Sequence, residues 1–219
     1  MRVLAACDSQ YYYKYFPTFY ASATEAGYTP VLHLVDPSED IIKQVSDLDI
    51  ETSISTCRSI HKKNYYAHVR FFAAETHLRN GPLLITDIDV IFRRLLPTPT
   101  EDVGVFIREY EWYPGMKSMA GIVWLDDTHN AIHFIRLVNE LINKRPEEWY
   151  ADQYAIYDAY NHLCNSVSIK HFTNIELDWD FTSTSYIWSG KGNRKHSVKK
   201  YIELSSYYHD KFNIPSSSR

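Results

Sequence analysis

The amino-acid sequence predicts an α/β protein: one compact domain built on a mixed, mostly parallel sheet with helices on both faces. Three observations predict it. Short apolar runs alternate with segments of helical periodicity through the first two thirds of the chain. Several of those runs end in carboxylates, namely Asp8, Asp36, Asp87 and Asp89. In an open α/β sheet, ligands collect at the carboxyl ends of the strands, so these four residues are expected along one edge. Finally, the 219 residues carry no Ser/Gly-rich linker and no repeat, which suits one large core better than two small ones. The expected domain is 1–212, with a loose tail over 213–219.

Taken in order, VLAA is the first strand and Asp8 follows it closely. Phe16, Phe19, Tyr20, Ala23 and Ala26 then share one helical face, with Pro17 expected near the first turn and Gly27 as the stop. PVLHLVD is a second strand ending at Asp36, and a second helical pattern runs from about Ile60 to Leu78 and closes at NGP. LLIT leads into Asp87 and Asp89, and VGVFI and GIVWL supply further strand. Asp127 or Thr128 caps a helix that carries Ile132, Ile135, Val138 and Ile142 at core spacing.

Composition excludes several functional classes. The net charge of −4 is spread over interspersed acids and bases, which leaves no basic face for duplex nucleic acid. Cys7, Cys57 and Cys164 form no Cys-x-x-Cys pair, which argues against a zinc ribbon or a disulfide scaffold. MRVLAACD enters a strand without a signal-peptide stretch, and no run of about eighteen apolar residues occurs, so the expectation is a soluble, cytoplasmic chain without a membrane span. Oligomeric state is open. The 18 tyrosines are accounted for chiefly by packing at the edge of the core.

Chemistry is expected first at Asp87 and Asp89. Residues two apart on a strand point to the same side, so two carboxylates are presented to one point, a hard-oxygen arrangement suited to Mg²⁺ or Mn²⁺. Arg70 shares a helix face with Tyr66, Ala67, Ala73 and Ala74; an arginine placed in the interior needs an anionic partner, and the Asp pair or its ligand can supply one. Asp152 and Gln153 fall on the inward side of a helix between Trp149 and Ile156, where a core helix would be apolar. SGKGNRKHS combines Gly190 and Gly192 with Lys191, Arg194, Lys195 and His196, a workable grip on a diphosphate. His129 and His133 have zinc-helix spacing, but Asn130 stands where the catalytic glutamate would be. No serine or cysteine sits in a nucleophile-elbow context.

On these residues the sequence resembles the GT-A glycosyltransferases, and within them the branch of glycogenin and the lipopolysaccharide galactosyltransferases. The resemblance runs by motif order over nearly the whole chain and implies a Rossmann-like nucleotide-diphospho-sugar transferase fold. VLAACDSQYY is similar to that family's first strand and nucleotide loop, which makes Asp8 with Tyr11 or Tyr12 the uridine contacts. LLITDIDVIF matches its Asp-x-Asp strand, with Asp87 and Asp89 as metal ligands and Arg70 beside them. SMAGIVWL places Ala120 and Gly121 by the sugar, and ADQYAI resembles the Asp-Gln pair, in which Asp152 holds sugar hydroxyls and Gln153 lies near the reacting carbon. The family's His-x-x-Gly-x-x-Lys survives in spacing as Ser189, Gly192 and Lys195, with serine in place of the metal-binding histidine. Ser189, a water or His196 is then left to complete the metal shell.

The resemblance implies transfer of a hexose from a UDP-sugar to a carbohydrate or other hydroxyl acceptor, dependent on Mn²⁺ (or Mg²⁺), with retention of anomeric configuration. Two rivals are weighed against it. An aspartate-nucleophile phosphohydrolase would use Asp87 to attack phosphorus and Asp89 as acid and base, with Asp126 and Asp127 as a second acidic pair. A non-catalytic nucleotide-sugar-binding protein would keep the fold without turnover.

Overall fold

The run RVLAACD forms strand β1 (Arg2–Asp8), and its last residue starts the next element. The Asp8 carboxylate accepts from the Tyr11 N–H at 2.8 Å and caps helix α1 (Ser9–Glu25). The computed structural model, which describes residues 1–212, therefore puts Pro17 in the interior of α1 rather than near its first turn, because the Asp8 cap starts the helix at Ser9. Gly27, at φ +91°, ends α1 as expected: the Gly27 and Tyr28 N–H groups donate back to the Thr24 and Ala23 carbonyls. The tail expected over 213–219 lies outside the described residues.

Strand β2 (Thr29–Val35) lies parallel to β1 along its whole length. Helix α2 (Glu39–Ser46) and strand β3 (Glu51–Ser55) follow, and neither was foreseen. The helix is short, and ETSIS, a polar edge strand, lacks the apolar signal of the interior ones. Helix α3 (Lys62–His77) matches the expected second helical pattern. Strand β4 (Leu83–Thr86) pairs parallel with the other side of β1, and β5 (Val90–Phe92) follows the Asp pair, which lies in the turn between the two strands and not on a strand, so strand alternation does not set the direction of the two carboxylates. Then come β6 (Val103–Ile107), β7 (Ser118–Leu125), α4 (His129–Asn143, capped by Thr128), α5 (Ala151–Leu163) and β8 (Ile169–His171).

These strands form a seven-stranded sheet in the order β3-β2-β1-β4-β7-β6-β8, parallel from β3 through β4, with β7 antiparallel to both of its neighbours. Alternation along β1 sends Val3 and Ala5 to the face covered by Phe16, Phe19 and Ile41, and Leu4 to the face covered by Phe71, Phe134 and Ile156. The described residues end in β9 (Leu177–Asp178), β10 (Ile187–Ser189), α6 (Arg194–Ser197) and α7 (Lys199–Lys211). Strand β10 joins β5 and β9 in a three-stranded sheet. Helix α7 packs on α1, where the Thr18 hydroxyl donates to the Ser205 carbonyl at 3.0 Å. Among the described residues, no helix is long and apolar enough to cross a membrane.

The polar side chains of β3 are explained by a buried network. His33 Nδ1 and Nε2 meet the Ser53 and Ser55 hydroxyls at 2.7 and 2.9 Å, Ser53 meets His77, and His77 and Arg2 both reach Glu51. Burial, with the His77 ring adding to it, pushes His33 down to about 4 from the ordinary 6.5. The unfolded chain therefore takes up a proton that the folded chain refuses as pH falls from 6.5 to about 4. His33 supports stability fully above that window and loses its contribution through it. Thermal melts across this range should show a falling Tm, with a shallower fall in His33→Asn; identical slopes in the two proteins would remove His33 from the effect.

Candidate active site

Because β1, β2 and β4 run parallel, their carboxyl ends share one edge, and Asp8, Asp36, Asp87 and Asp89 stand along it as expected. Asp36 adopts a left-handed backbone, at φ +48°, and its carboxylate accepts from the Cys57 N–H. The chemistry gathers around Arg70, which α3 buries to 7% exposure. Its guanidinium reaches the Asp87 carboxylate at 3.1 Å, the Asp152 carboxylate at 3.2 Å, the Ala120 carbonyl at 3.1 Å and the Ala67 carbonyl one turn back. One side chain thus ties α3, the turn after β4, β7 and the start of α5. On the other side of Asp87, Oδ2 lies where a Cβ on Gly121 would come within 2.9 Å, so any other residue there would push the carboxylate aside.

Asp152 is 5% exposed. Burial pushes its carboxyl up to about 6; Arg70 opposes the shift and Asp87 adds to it. His68 Nε2 lies 3.9 Å from Asp152, yet burial and then Arg70 push that imidazole down to about 4, so it is neutral and no ion pair forms there. Gln153 is half-buried. Its main-chain carbonyl accepts from the Ser118 hydroxyl at 2.7 Å, and its side-chain amide, oriented to satisfy its neighbours, donates to the Gly115 and Ser118 carbonyls.

The second carboxylate has its own cation. Lys195 Nζ lies 2.6 Å from Asp89 Oδ2, and both side chains are largely buried, at 14% and 13% exposure. Burial works against the ammonium, but Asp89 outweighs it and holds Lys195 above the ordinary lysine range. The Tyr11 and Tyr15 rings flank Lys195, at 5.9 and 5.1 Å from its Nζ. The Asp89 carbonyl accepts from the Tyr201 hydroxyl at 2.7 Å and from the Gly190 N–H at 3.1 Å. A Cβ on Gly190 would stand 2.8 Å from both of those oxygens. Ser189 is buried at the end of β10, in register with Val90.

The residues foreseen from the sequence divide into two groups. Arg70, Asp87, Asp89, Ala120, Gly121, Asp152, Gln153, Ser189, Lys195 and Tyr11 converge on one region. Tyr12 is a core residue instead, fully buried with its ring stacked on Phe16 at 4.8 Å, because its position on α1 faces the sheet. Asp8 spends one carboxylate oxygen on the α1 cap. Gly192 is exposed at φ +58°, and His196 is exposed on α6. Asp126 and Asp127 lie at the opposite edge of the sheet from Asp87, since β7 runs antiparallel to β4 with Leu125 beside Leu83, so they form no second acidic pair with it. His129 and His133 are exposed on α4.

Lys191 and Gly190, expected only as part of the glycine-lysine grip, lie at this site, and Tyr201 joins them without any signal in the sequence. Lys191 Nζ lies over the Trp179 ring at 4.9 Å and 3.7 Å from Met119 Sδ. Burial pushes it down, helped by Arg108 and Arg194 and opposed by Glu111 and Asp87. The glycine-lysine segment carried a signal for Lys191 and Gly190, whereas Tyr201 had none.

Among the described residues, no three His, Cys, Asp or Glu side chains gather at metal-binding spacing. Asp87 and Asp89 alone nevertheless fit Mg²⁺ or Mn²⁺ chemistry, because such ions take one or two protein carboxylates and fill the remaining positions with water and phosphate oxygens. The donor set is hard oxygen; Ser189 is buried on the neighbouring strand β10, and His196 is exposed on α6.

The chain is similar to an active-site mutant of LgtC, with a TM-score of 0.66 and 13% identity over 94% of this chain and 96% of that one. It is similar to the galactosyltransferase LgtC in complex with donor and acceptor sugar analogues, with a TM-score of 0.61 and 12% identity over the same shares. The chain has the GT-A fold. The glycosyltransferase GlyE of Streptococcus pneumoniae is also similar, with a TM-score of 0.62 and 13% identity over 96% of this chain and 63% of GlyE. No protein-family model and no curated protein matches the sequence. At such identities the likeness establishes the fold, and residue roles rest on the geometry.

Arg70→Ala would leave Asp87 and Asp152 without their shared cation, one of them fully buried. The expected loss is roughly 3–5 kcal/mol of stability, read as a lower denaturation midpoint. Arg70→Lys should fail to restore it, because a single ammonium cannot span partners that a planar fork reaches. Full recovery with lysine would mean that charge alone, and not the fork, holds these elements.

Proposed function

We propose that this chain is a glycosyltransferase that moves a hexose from a UDP-sugar to an acceptor hydroxyl. The observation that carries the reading is the meeting of two carboxylate–cation pairs, Asp87–Arg70 and Asp89–Lys195, at the carboxyl edge of a GT-A sheet, with Asp152 and Gln153 beside them. Tyr11, at the exposed start of α1, offers a flat face for the uracil, and Asp8 stands next to it. Ala120 and Gly121, on β7, line the strand against which Asp87 and Arg70 pack, and the resemblance puts the sugar by them. Asp152 holds sugar hydroxyls, and Gln153 lies by the anomeric carbon.

In this reading the bond from the anomeric carbon to the diphosphate breaks, the acceptor oxygen bonds that carbon, and the acceptor proton leaves with UDP. Negative charge grows on the departing diphosphate, and Lys195 and Lys191 are the chain's own groups placed to neutralise it. Arg70 is a positioning residue that fixes Asp87 and Asp152. Asp87 and Asp89, with Ser189 near, would hold Mn²⁺ or Mg²⁺; such an ion, when bound, supplies further positive charge to the phosphate oxygens. Retention of configuration is proposed from the resemblance to the LgtC branch. The phosphohydrolase reading loses its second acidic pair, while the non-catalytic reading differs from ours only in turnover.

Calorimetric titration with UDP, with and without Mn²⁺, tests the donor side, and release of UDP from a panel of UDP-sugars tests turnover. Binding that needs the ion, with one sugar turned over, is expected; binding without any turnover would favour the non-catalytic protein. Asp89→Asn should abolish the Mn²⁺-dependent part of UDP binding. Lys195→Ala should weaken UDP by about tenfold or more, the size of a lost charge-assisted bond, and leave uridine nearly unaffected. Equal losses for UDP and uridine would contradict a diphosphate role for Lys195.

A further inference from the structure

The polar network beside β3 sets a hydroxyl, an imidazole and a carboxylate in line. Ser53 Oγ meets His77 Nε2 at 2.7 Å, and His77 Nδ1 meets Glu51 Oε1 at 2.7 Å. Asn80 donates to the same Glu51 oxygen at 2.8 Å and Arg2 to the other at 2.5 Å, so the carboxylate is fixed from both sides. Burial alone would raise the Glu51 carboxyl, but His77, Asn80 and Arg2 outweigh it and hold the group below the ordinary carboxylate range. Nucleophile, base and orienting acid in this relation are recognised by geometry, whatever their order in the chain.

The proton positions follow from the contacts. An ionised Glu51 takes the proton of His77 Nδ1, which leaves Nε2 to accept from the Ser53 hydroxyl. Ser53 Oγ also lies 2.7 Å from His33 Nδ1 and accepts from it, while His33 Nε2 accepts from the Ser55 hydroxyl at 2.9 Å. A second imidazole N–H therefore stays on Oγ when its own proton leaves.

Glu51 opens β3, so this group lies toward the opposite edge of the sheet from Asp87. Strand β3 is the end strand, and α3 packs on β1, β2 and β4; Ser53 is half-buried, whereas His77 is buried. The Ser55 carbonyl accepts from the Asp36 N–H, so in this parallel ladder the main-chain groups of Glu51, Ser53 and Ser55 face β2. The Ile54 N–H then faces the free edge, without a partner among the described residues. In α/β-hydrolases the N–H of the residue after the nucleophile serves as an oxyanion donor. Across the edge, an open groove of about 450 Å³ is lined by Leu34, Ile42, Val45, Ile50, Ser53 and Ile54.

We propose that Ser53 and His77, positioned by Glu51, form a second catalytic site that hydrolyses carboxylic esters of short aliphatic acids. Ser53 Oγ bonds the ester carbonyl carbon while its proton passes to His77 Nε2, and the oxyanion takes the Ile54 N–H. The alcohol leaves with the proton from His77. Water then attacks the acyl-serine, giving one proton to His77, which returns it to Ser53 as the acid departs. The apolar groove accepts the aliphatic chain. This site is independent of the glycosyltransferase reading.

A fluorophosphonate probe, which phosphonylates activated serines, tests the full chain together with p-nitrophenyl acetate and butyrate. Peptide mass spectrometry should place the probe on Ser53, and the esters should be turned over. Ser53→Ala should abolish both signals. His77→Gln, which keeps an amide but no base, should slow both by about a hundredfold or more, with thermal melts checking that each variant folds. An unlabelled Ser53 in wild type, or labelling without ester turnover, would overturn the proposal whether or not the variants fold. Hydrolysis that survives Ser53→Ala would overturn it, and so would equal labelling rates in wild type and His77→Gln.

Discussion

The site depends on one buried guanidinium. Arg70 joins a helix, a strand turn, a second strand and the start of another helix through a single planar group. Burying a charge is costly unless its partners are in place, so these elements hold their relative positions only together. The same fork is why Asp152, almost without solvent, keeps its carboxyl no higher than about 6. Site geometry and fold stability are therefore the same property at Arg70.

A second pair, Asp89 with Lys195, is built differently. The first pair is locked by four partners, whereas Lys195 has one carboxylate and two aromatic rings. In the proposed reading, an incoming anion would compete with Asp89 for this ammonium, and an incoming cation with Lys195 for this carboxylate. In the proposed reaction this is the contact that a donor carrying a diphosphate and an ion would open. Lys191, half-buried over Trp179, adds positive charge that is not held in so close a pair.

Much of the sheet was legible in the sequence, because buried parallel strands are continuous apolar runs and Gly27 and Thr128 mark helix ends by simple chemistry. Arg70 and Asp152 were legible for a related reason: a charge on an apolar helix face stands out against the period. Strand β3 was not, since its polar residues answer a network that includes Arg2, His33 and His77, distant in sequence. Tyr12 misled because adjacent tyrosines on a helix point in different directions, and only the position of the cap decides which one faces the sheet. Tyr201 gave no signal, because its hydroxyl serves a main-chain carbonyl far away in the sequence.

The order of the elements along the chain has a consequence for synthesis. All seven strands of the main sheet precede β10, Lys195 and Tyr201, and chains fold from the amino end as they are made. A nascent chain that has just completed β8 contains every strand of the main sheet and both partners of the Arg70–Asp87 pair, while Asp89 still lacks both its ammonium and the two donors to its carbonyl. The scaffold thus matures before the grip on the ligand does, and the half of the site that is to exchange partners is the half assembled last.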